Sequence, residues 1–419
     1  MLSAYKPIHG EESLPSRPAC EVADIFREYG RSYRMNNKMP LSHMKVMSDI
    51  INCRTEFKGG HIEKCDSCGY ERNAYNSCRN RHCPKCQTMA KARWLDARMH
   101  ELLPARYYHE VFTLPHEMNP VILCNKEAIF TILFKAVSET LLLFGWNTRN
   151  GLGGKVGFIA ILHTWNQVLL DHFHLHCVIP AGALSPDESR WISSRRWRIL
   201  FNVKALSIVF RAKFIEYLEQ AFDKGDLHFP GNTTSYGTQA GFRHLIRKLW
   251  SKRWVVYSKR PFAGPEQVLD YLGRYTHRVA ISNHRIIALK DGVVTFFYRD
   301  RRDNDTKKIM SLDAQEFIRR FLLHVIPEGF MRIRYYGFLA NRSKKHNLNL
   351  IRRLLGVREE LSDTRKESVR DLMLRLTDID ITRCPHCKNG TMRTIAEIPS
   401  LQKRHLYIIH NQHMVMNST

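Results

Sequence analysis

The chain has 419 residues, 44% hydrophobic and 11% aromatic, the profile of a folded globular protein with room for two or three domains and a sizeable core. Against 40 Asp and Glu stand 65 Lys and Arg, a formal charge of +25. A surplus that large, spread along the whole chain, favours a polyanionic partner; no amphipathic polybasic anchor points to a membrane, so nucleic acid leads.

The N-terminal stretch MLSAYKPIHGEESLPSRPAC carries acids and prolines where a secretory leader needs an apolar core. The most apolar segment, AIFTILFKAVSETLLLFGW from Ala128, is interrupted by Lys135 and Glu139. A cytoplasmic protein with no membrane partner is therefore expected. The 11 cysteines agree: the number is odd, and six fall between Cys53 and Cys86, which in a reducing compartment means metal rather than disulfides.

In that crowded segment Cys65-x-x-Cys68 and Cys83-x-x-Cys86 form two knuckle pairs separated by fourteen residues. Four thiolates so spaced are expected to surround one tetrahedral zinc ion, filling it and making it structural rather than catalytic. Cys53, His61, Cys78 and His82 are left over; they either close a second zinc site or are buried beside the first. Arg72, Arg79, Arg81, Lys85, Lys91 and Arg93 surround the ligands. They are read as a DNA-docking face, or else as an ordinary solvated basic surface.

Next comes DHFHLHCVIP, in which His172, His174 and His176 alternate. VGFIAILHTW (156–165) and HLHCVIPAGAL (174–184) both have the β-branched, turn-bounded composition of strands. Alternate strand residues share a face, so His174 and His176 point into one site while Leu175 packs behind them. Two imidazoles so held can share a divalent cation and leave positions open for substrate oxygens; the bland alternative is a pair of hydrogen-bonded core histidines.

Downstream, GPEQVLDYLGRYTHRVAIS begins as a helix with Pro265 at its first position, which sets Tyr271 and Tyr275 one turn apart on one face. An aromatic core stripe would look similar, but Arg274, His277 and Arg278 crowd the same turns. A phenol beside cations has a stabilised phenolate and can attack phosphorus.

HLH, YLGRYTHR and the CDSCG…CRNRHCPKCQ segment, with YHEVFTLPHEMNP (108–120) and YGFLANR (336–342), resemble the rolling-circle transposases of insertion sequences, the two-tyrosine "HUH" group. The resemblance runs from about Cys53 to beyond Arg342. It implies an α+β fold: an HUH endonuclease-like antiparallel sheet with flanking helices, preceded by an N-terminal zinc-binding domain. It also implies that His174 and His176 hold Mg²⁺ or Mn²⁺ on a central strand, that Tyr271 and Tyr275 are the nucleophiles on a neighbouring helix, and that the partner is single-stranded DNA. A third ligand is expected in that group, with His163 preferred over Gln167; His172 falls outside the pattern. Arg79, Arg81, Lys85, Arg274 and Arg278 are the expected DNA contacts. The chain has no GxxxxGK[ST] loop, so no nucleotide cofactor is expected.

Trp191, Trp197, Trp250, Trp254 and Tyr257 lie among basic residues and suit base stacking, with an edge strand carrying inward aromatics as the equal alternative for the tryptophans. HRIIALKDGVVTFFYRD reads as a hairpin turning at Asp291-Gly292, and AQEFIRRFLLHVIP as an amphipathic helix. Cys384-Pro-His-Cys387 is half a zinc knuckle, expected to need His405 or His410. The expected division is 1–105 helical and zinc-binding, 106–300 catalytic, and 301–419 basic accessory. A DNA transposase is the leading function; a replication initiator or relaxase, and a non-enzymatic zinc-finger DNA-binding protein, are the alternatives.

Overall fold

The computed structural model describes residues 18–149, 151–262, 267–268, 273, 279–300, 303–357 and 368–401. Two compact units emerge, and they cut across the contiguous segments expected from the sequence. The first comprises Met1–Arg93, His277–Val325 and Thr364–Thr419; the second comprises Trp94–Thr276 and Ile326–Asp363.

In chain order the strands are β1 (Gly60–Cys65), β2 (Glu71–Tyr75), β3 (Tyr107–Thr113), β4 (Gly157–Trp165), β5 (Asp171–Pro180), β6 (Gly182–Leu184), β7 (Trp191–Ser193), β8 (Val255–Phe262), β9 (Ile286–Lys290), β10 (Val293–Asp300), β11 (Thr306–Asp313), β12 (Ile333–Gly337) and β13 (Met392–Ile398).

In the first unit, helix Val22–Asn36 starts where Asp24 accepts the Glu21 backbone N–H, and it buries Val22, Ile25, Phe26 and Tyr33 at helical spacing. Phe26 meets Phe321 edge-on at 5.3 Å, so this helix packs on Ala314–Leu323, the amphipathic helix expected from AQEFIRRFLL. The sheet β11-β10-β9 contains the expected hairpin: Asp291 and Gly292 both take positive φ, 49° and 77°, as a two-residue turn between right-twisted strands requires. A separate three-stranded sheet, β13-β1-β2, joins a strand near residue 65 to one near residue 392.

The second unit is built on a five-stranded antiparallel sheet in the order β12-β4-β5-β3-β8. One face carries Tyr108, Phe112, Phe158, Leu162, Phe173 and Leu175 against the helices Lys126–Trp146 and Val203–Asp223. Helix Lys126–Trp146 is long and apolar enough to cross a membrane, yet it is a core helix, burying Ile129, Phe130, Leu133, Phe134, Val137 and Leu141. The charges that interrupt it are matched: Glu139 binds Lys213 at 2.9 Å, and Lys135 sits 3.8 Å from the Tyr217 ring centre. The opposite face carries Tyr107, Ile159, Ile161 and Val178, covered by Leu348 and Ile351 of helix Lys344–Leu354 and by Val268. Mixed helices and antiparallel sheet, with a cysteine-rich N-terminal segment, make this the α+β fold expected.

Candidate functional site

Pairing of β4 with β5 sets His163 opposite His174, and β5 occupies the centre of the sheet. Since side chains alternate, His163, His174 and His176 emerge on the Ile161 and Val178 face. Their ligand nitrogens lie within 4.8 Å of one another, and all three residues are buried. His163 Nδ1 is 3.2 Å from His174 Nε2, which is 2.9 Å from His176 Nε2. Nitrogens bound side by side on an octahedral ion at about 2.1 Å stand about 3.0 Å apart, so the spacing fits a small divalent cation.

The tautomers are set from behind. His174 Nδ1 lies 2.7 Å from the His172 carbonyl, to which it donates, leaving the Nε2 lone pair to face the other rings. His176 Nδ1 meets His109 Nε2 of β3 at 2.9 Å. Burial, with Lys259 adding to it, holds the His109 pKa down to about 3, so this ring is neutral. His172 contributes its carbonyl, and its ring lies 4.5 Å from that of His174. His109 does not stand out in the sequence, because a single histidine in YHEVF has no pattern to mark it; only the β3–β5 register, with His109 opposite Val178, puts it on the histidine face.

Tyr271, Tyr275, Arg274 and Arg278 lie outside the described residues. Gln267, Val268 and Gly273 of the same segment are helical, and Val268 is fully buried against the histidine-bearing face of the sheet.

The cysteines assemble differently from expectation. Cys65, Cys68, Cys83 and Cys86 do not share a site. Cys83 and Cys86 join Cys53 and Cys78, while Cys65 and Cys68 face Cys384 and Cys387. Backbone pairing is the reason. Cys65 ends β1, where β13 delivers the 384–387 knuckle, whereas Arg54 N–H binds the Asn76 carbonyl at 3.1 Å and draws Cys53 to Cys78. His61 pairs with Glu63 at 3.1 Å, and neither it nor His82 belongs to the four-cysteine cluster. The partners of Cys384 and Cys387 are thus cysteines; His405 and His410 lie outside the described residues.

In the Cys53 cluster the sulfurs lie within 4.8 Å of one another, with Cys78 Sγ and Cys86 Sγ 3.7 Å apart. A disulfide requires about 2.05 Å, whereas a tetrahedral zinc with 2.3 Å bonds sets sulfurs about 3.8 Å apart. The donor set therefore fits zinc, and backbone N–H groups of Cys78 and Asn80 point at the sulfurs of Cys53 and Cys78, which offsets thiolate charge. Of the expected DNA contacts nearby, Arg79 is exposed, Arg81 is half-buried, and Lys85 is paired with Glu21 at 2.5 Å.

The basic-aromatic stretches divide. Trp197 is 76% exposed, its ring stacked 4.3 Å from the Arg106 guanidinium beside a shallow cleft of about 580 Å³ lined by Arg196, Arg198 and Asn202. Trp250 and Tyr257 are also exposed, and Arg211 lies 4.9 Å from the Trp250 ring. Trp191 packs on Phe338. Trp254 is a core residue, wedged between Phe210 and Phe214 at 5.2 Å from each, its indole N–H bound to the Leu249 carbonyl.

The chain thus carries a buried histidine triad on a central strand of one unit and clustered cysteines in the other, and comparison with known proteins identifies it as a transposase. Residues 157–347 match the family described as "Putative transposase", and residues 25–114 match the "Transposase zinc-binding domain". The chain belongs to the IS91-type transposase family of insertion sequences. It is 48% identical over 383 residues to "Putative transposase y4qJ" of Sinorhizobium fredii (strain NBRC 101917 / NGR234), covering 91% of this chain and 96% of that one. It is 26% identical over 302 residues to the transposase for insertion sequence element IS801 of Pseudomonas savastanoi pv. phaseolicola, covering 71% and 70% respectively. No solved structure matches.

Proposed function

We propose that this transposase cuts and rejoins single-stranded DNA in the cytoplasm by rolling-circle chemistry, through a 5′-phosphotyrosine intermediate formed by Tyr271 or Tyr275. The reading rests chiefly on the convergence of His163, His174 and His176 within 4.8 Å, on the sheet face where Val268 of the tyrosine segment is buried. His163, His174 and His176 would hold Mg²⁺ or Mn²⁺, which, when bound, polarises a phosphoryl oxygen and neutralises charge developing on it.

The tyrosine hydroxyl gives up its proton and its oxygen bonds to phosphorus as the bond from phosphorus to the 3′ oxygen breaks; that oxygen takes up one proton and leaves as a 3′ hydroxyl, so the exchange consumes no net proton. Attack by a 3′ hydroxyl on the phosphotyrosine reverses the exchange. One phosphodiester is traded for another, so no nucleotide cofactor is consumed. Arg274 and Arg278 flank the tyrosines in sequence and would steady the phenolate and the adjacent phosphates. Trp197 over Arg106 suits an unpaired base with its phosphate, because a stacking platform needs a splayed strand.

The test mixes the full chain and Mn²⁺ with labelled single-stranded oligonucleotides carrying the element's ends. A denaturation-resistant protein–DNA adduct is expected, lost in Tyr271→Phe/Tyr275→Phe and in His174→Ala. No adduct with any end, or an undiminished adduct in the double tyrosine variant, overturns the proposal.

A further inference from the structure

We infer that Cys65, Cys68, Cys384 and Cys387 bind a second structural zinc ion, in a site assembled from knuckles more than 300 residues apart, one of which lies outside the zinc-binding family segment at 25–114. Cys65 Sγ is 3.7 Å from Cys387 Sγ, and Cys68 Sγ is 3.7 Å from Cys384 Sγ. Both distances match the edge of about 3.8 Å expected of a tetrahedral tetrathiolate zinc and exceed a disulfide bond by far.

The two knuckles also share a backbone conformation. In the first, Gly69 N–H binds the Cys65 carbonyl at 3.2 Å; in the second, Lys388 N–H binds the Cys384 carbonyl at 3.1 Å. Gly69 and Lys388 then both turn through positive φ, 72° and 62°. Lys388 accepts a conformation that favours glycine, which is tolerated where the surroundings impose it. Backbone N–H groups of Ser67 and Gly390 point at Cys65 Sγ and Cys387 Sγ at 3.4 and 3.3 Å, the outer-shell donors that thiolate ligands recruit. Gly390 lies so close that a Cβ there would stand 2.4 Å from Cys65 Sγ.

The buried apolar cluster beneath the knuckles consists of Cys65, Cys384 and Met392, with Cys387 against it. Among the described residues this apolar cluster is small, and in small folds of this kind a metal's binding energy adds to folding energy. With four sulfurs the coordination sphere is filled, so the ion fastens and does not catalyse.

Zinc per chain, measured by mass spectrometry on the full-length protein, is expected to be two in the wild type and one in Cys384→Ser/Cys387→Ser. One ion in a folded wild type, or two in the double variant, overturns the inference. If the double variant does not fold, cobalt replaces zinc and Cys387→His is compared with the wild type. The visible d–d envelope is expected to shift as one four-sulfur site becomes three-sulfur, one-nitrogen; an unchanged spectrum overturns the inference. Neither readout depends on DNA cleavage.

Discussion

His109 Nε2 lies 2.9 Å from His176 Nδ1, so a residue on β3 fixes which nitrogen His176 turns toward His163 and His174. Removing such a partner typically weakens metal binding by about 10–100-fold without touching a ligand. His109→Ala should therefore lower Mn²⁺ affinity by that factor in a titration followed by electron paramagnetic resonance, with circular dichroism unchanged. An unaltered Mn²⁺ isotherm would remove His109 from the site.

The next residue along β3 titrates against a different environment. Glu110 is fully buried; burial pushes its pKa up to about 8, against which the Ser258 hydroxyl donates at 2.9 Å. With the ordinary value at 4.5, the native state holds a proton between 4.5 and 8 that the unfolded chain has released. Its contribution to stability is thus fully present below about 4.5 and is lost as pH rises through 8, on the order of a few kcal/mol across the window. Glu110→Gln should flatten the urea midpoint against pH in this range; a slope equal to that of the wild type would count against a protonated Glu110.

Trp197 and Trp254 come from similar basic surroundings and should behave oppositely. Trp254→Ala removes a ring held by Phe210 and Phe214 and should cost about 3–5 kcal/mol of stability. Trp197→Ala should leave the melting curve in place and weaken binding to a single-stranded oligonucleotide by about 1–3 kcal/mol, read by fluorescence anisotropy. Equal binding by Trp197→Ala and wild type would refute the stacking role.

Gly337 ends β12 at φ 62°, and a Cβ there would stand 1.6 Å from the Val156 carbonyl oxygen. That atom is backbone and cannot swing aside. Gly337→Ala should be destabilised by at least about 2 kcal/mol, a Tm loss of roughly 4–8 °C in a calorimetric scan. A Tm within a degree of the wild type would show that β12 does not pair with β4 in this way.

Local periodicity carried most of what the sequence disclosed. Alternating His174 and His176 on an apolar strand declare their common face, whereas a third ligand is only what the family resemblance implies, and it is the β4–β5 register that sets His163 opposite His174. The hairpin at Asp291-Gly292 was legible because those residue types supply positive φ. Cysteine spacing, in contrast, identifies a knuckle and not its partner: Cys65 and Cys68 look toward Cys83 in the sequence, yet β1 pairs with β13 and brings them Cys384. Trp254 was indistinguishable from Trp250 by neighbours alone, since burial depends on how the helix Gln239–Ser251 and β8 meet the core. His109 was missed because a solitary histidine carries no period.

The union of β1 with β13 sets a timetable for the nascent chain. A ribosome adding about 5–20 residues per second delivers residue 384 some tens of seconds after residue 68. Through that interval the first half of the clasp is a bare dithiol on an emerging polypeptide, open to oxidants and to the wrong metal. Maturation of the first unit is thus tied to translation past residue 387, while the Cys53 cluster, encoded within a few dozen codons, can close almost as soon as it leaves the exit tunnel.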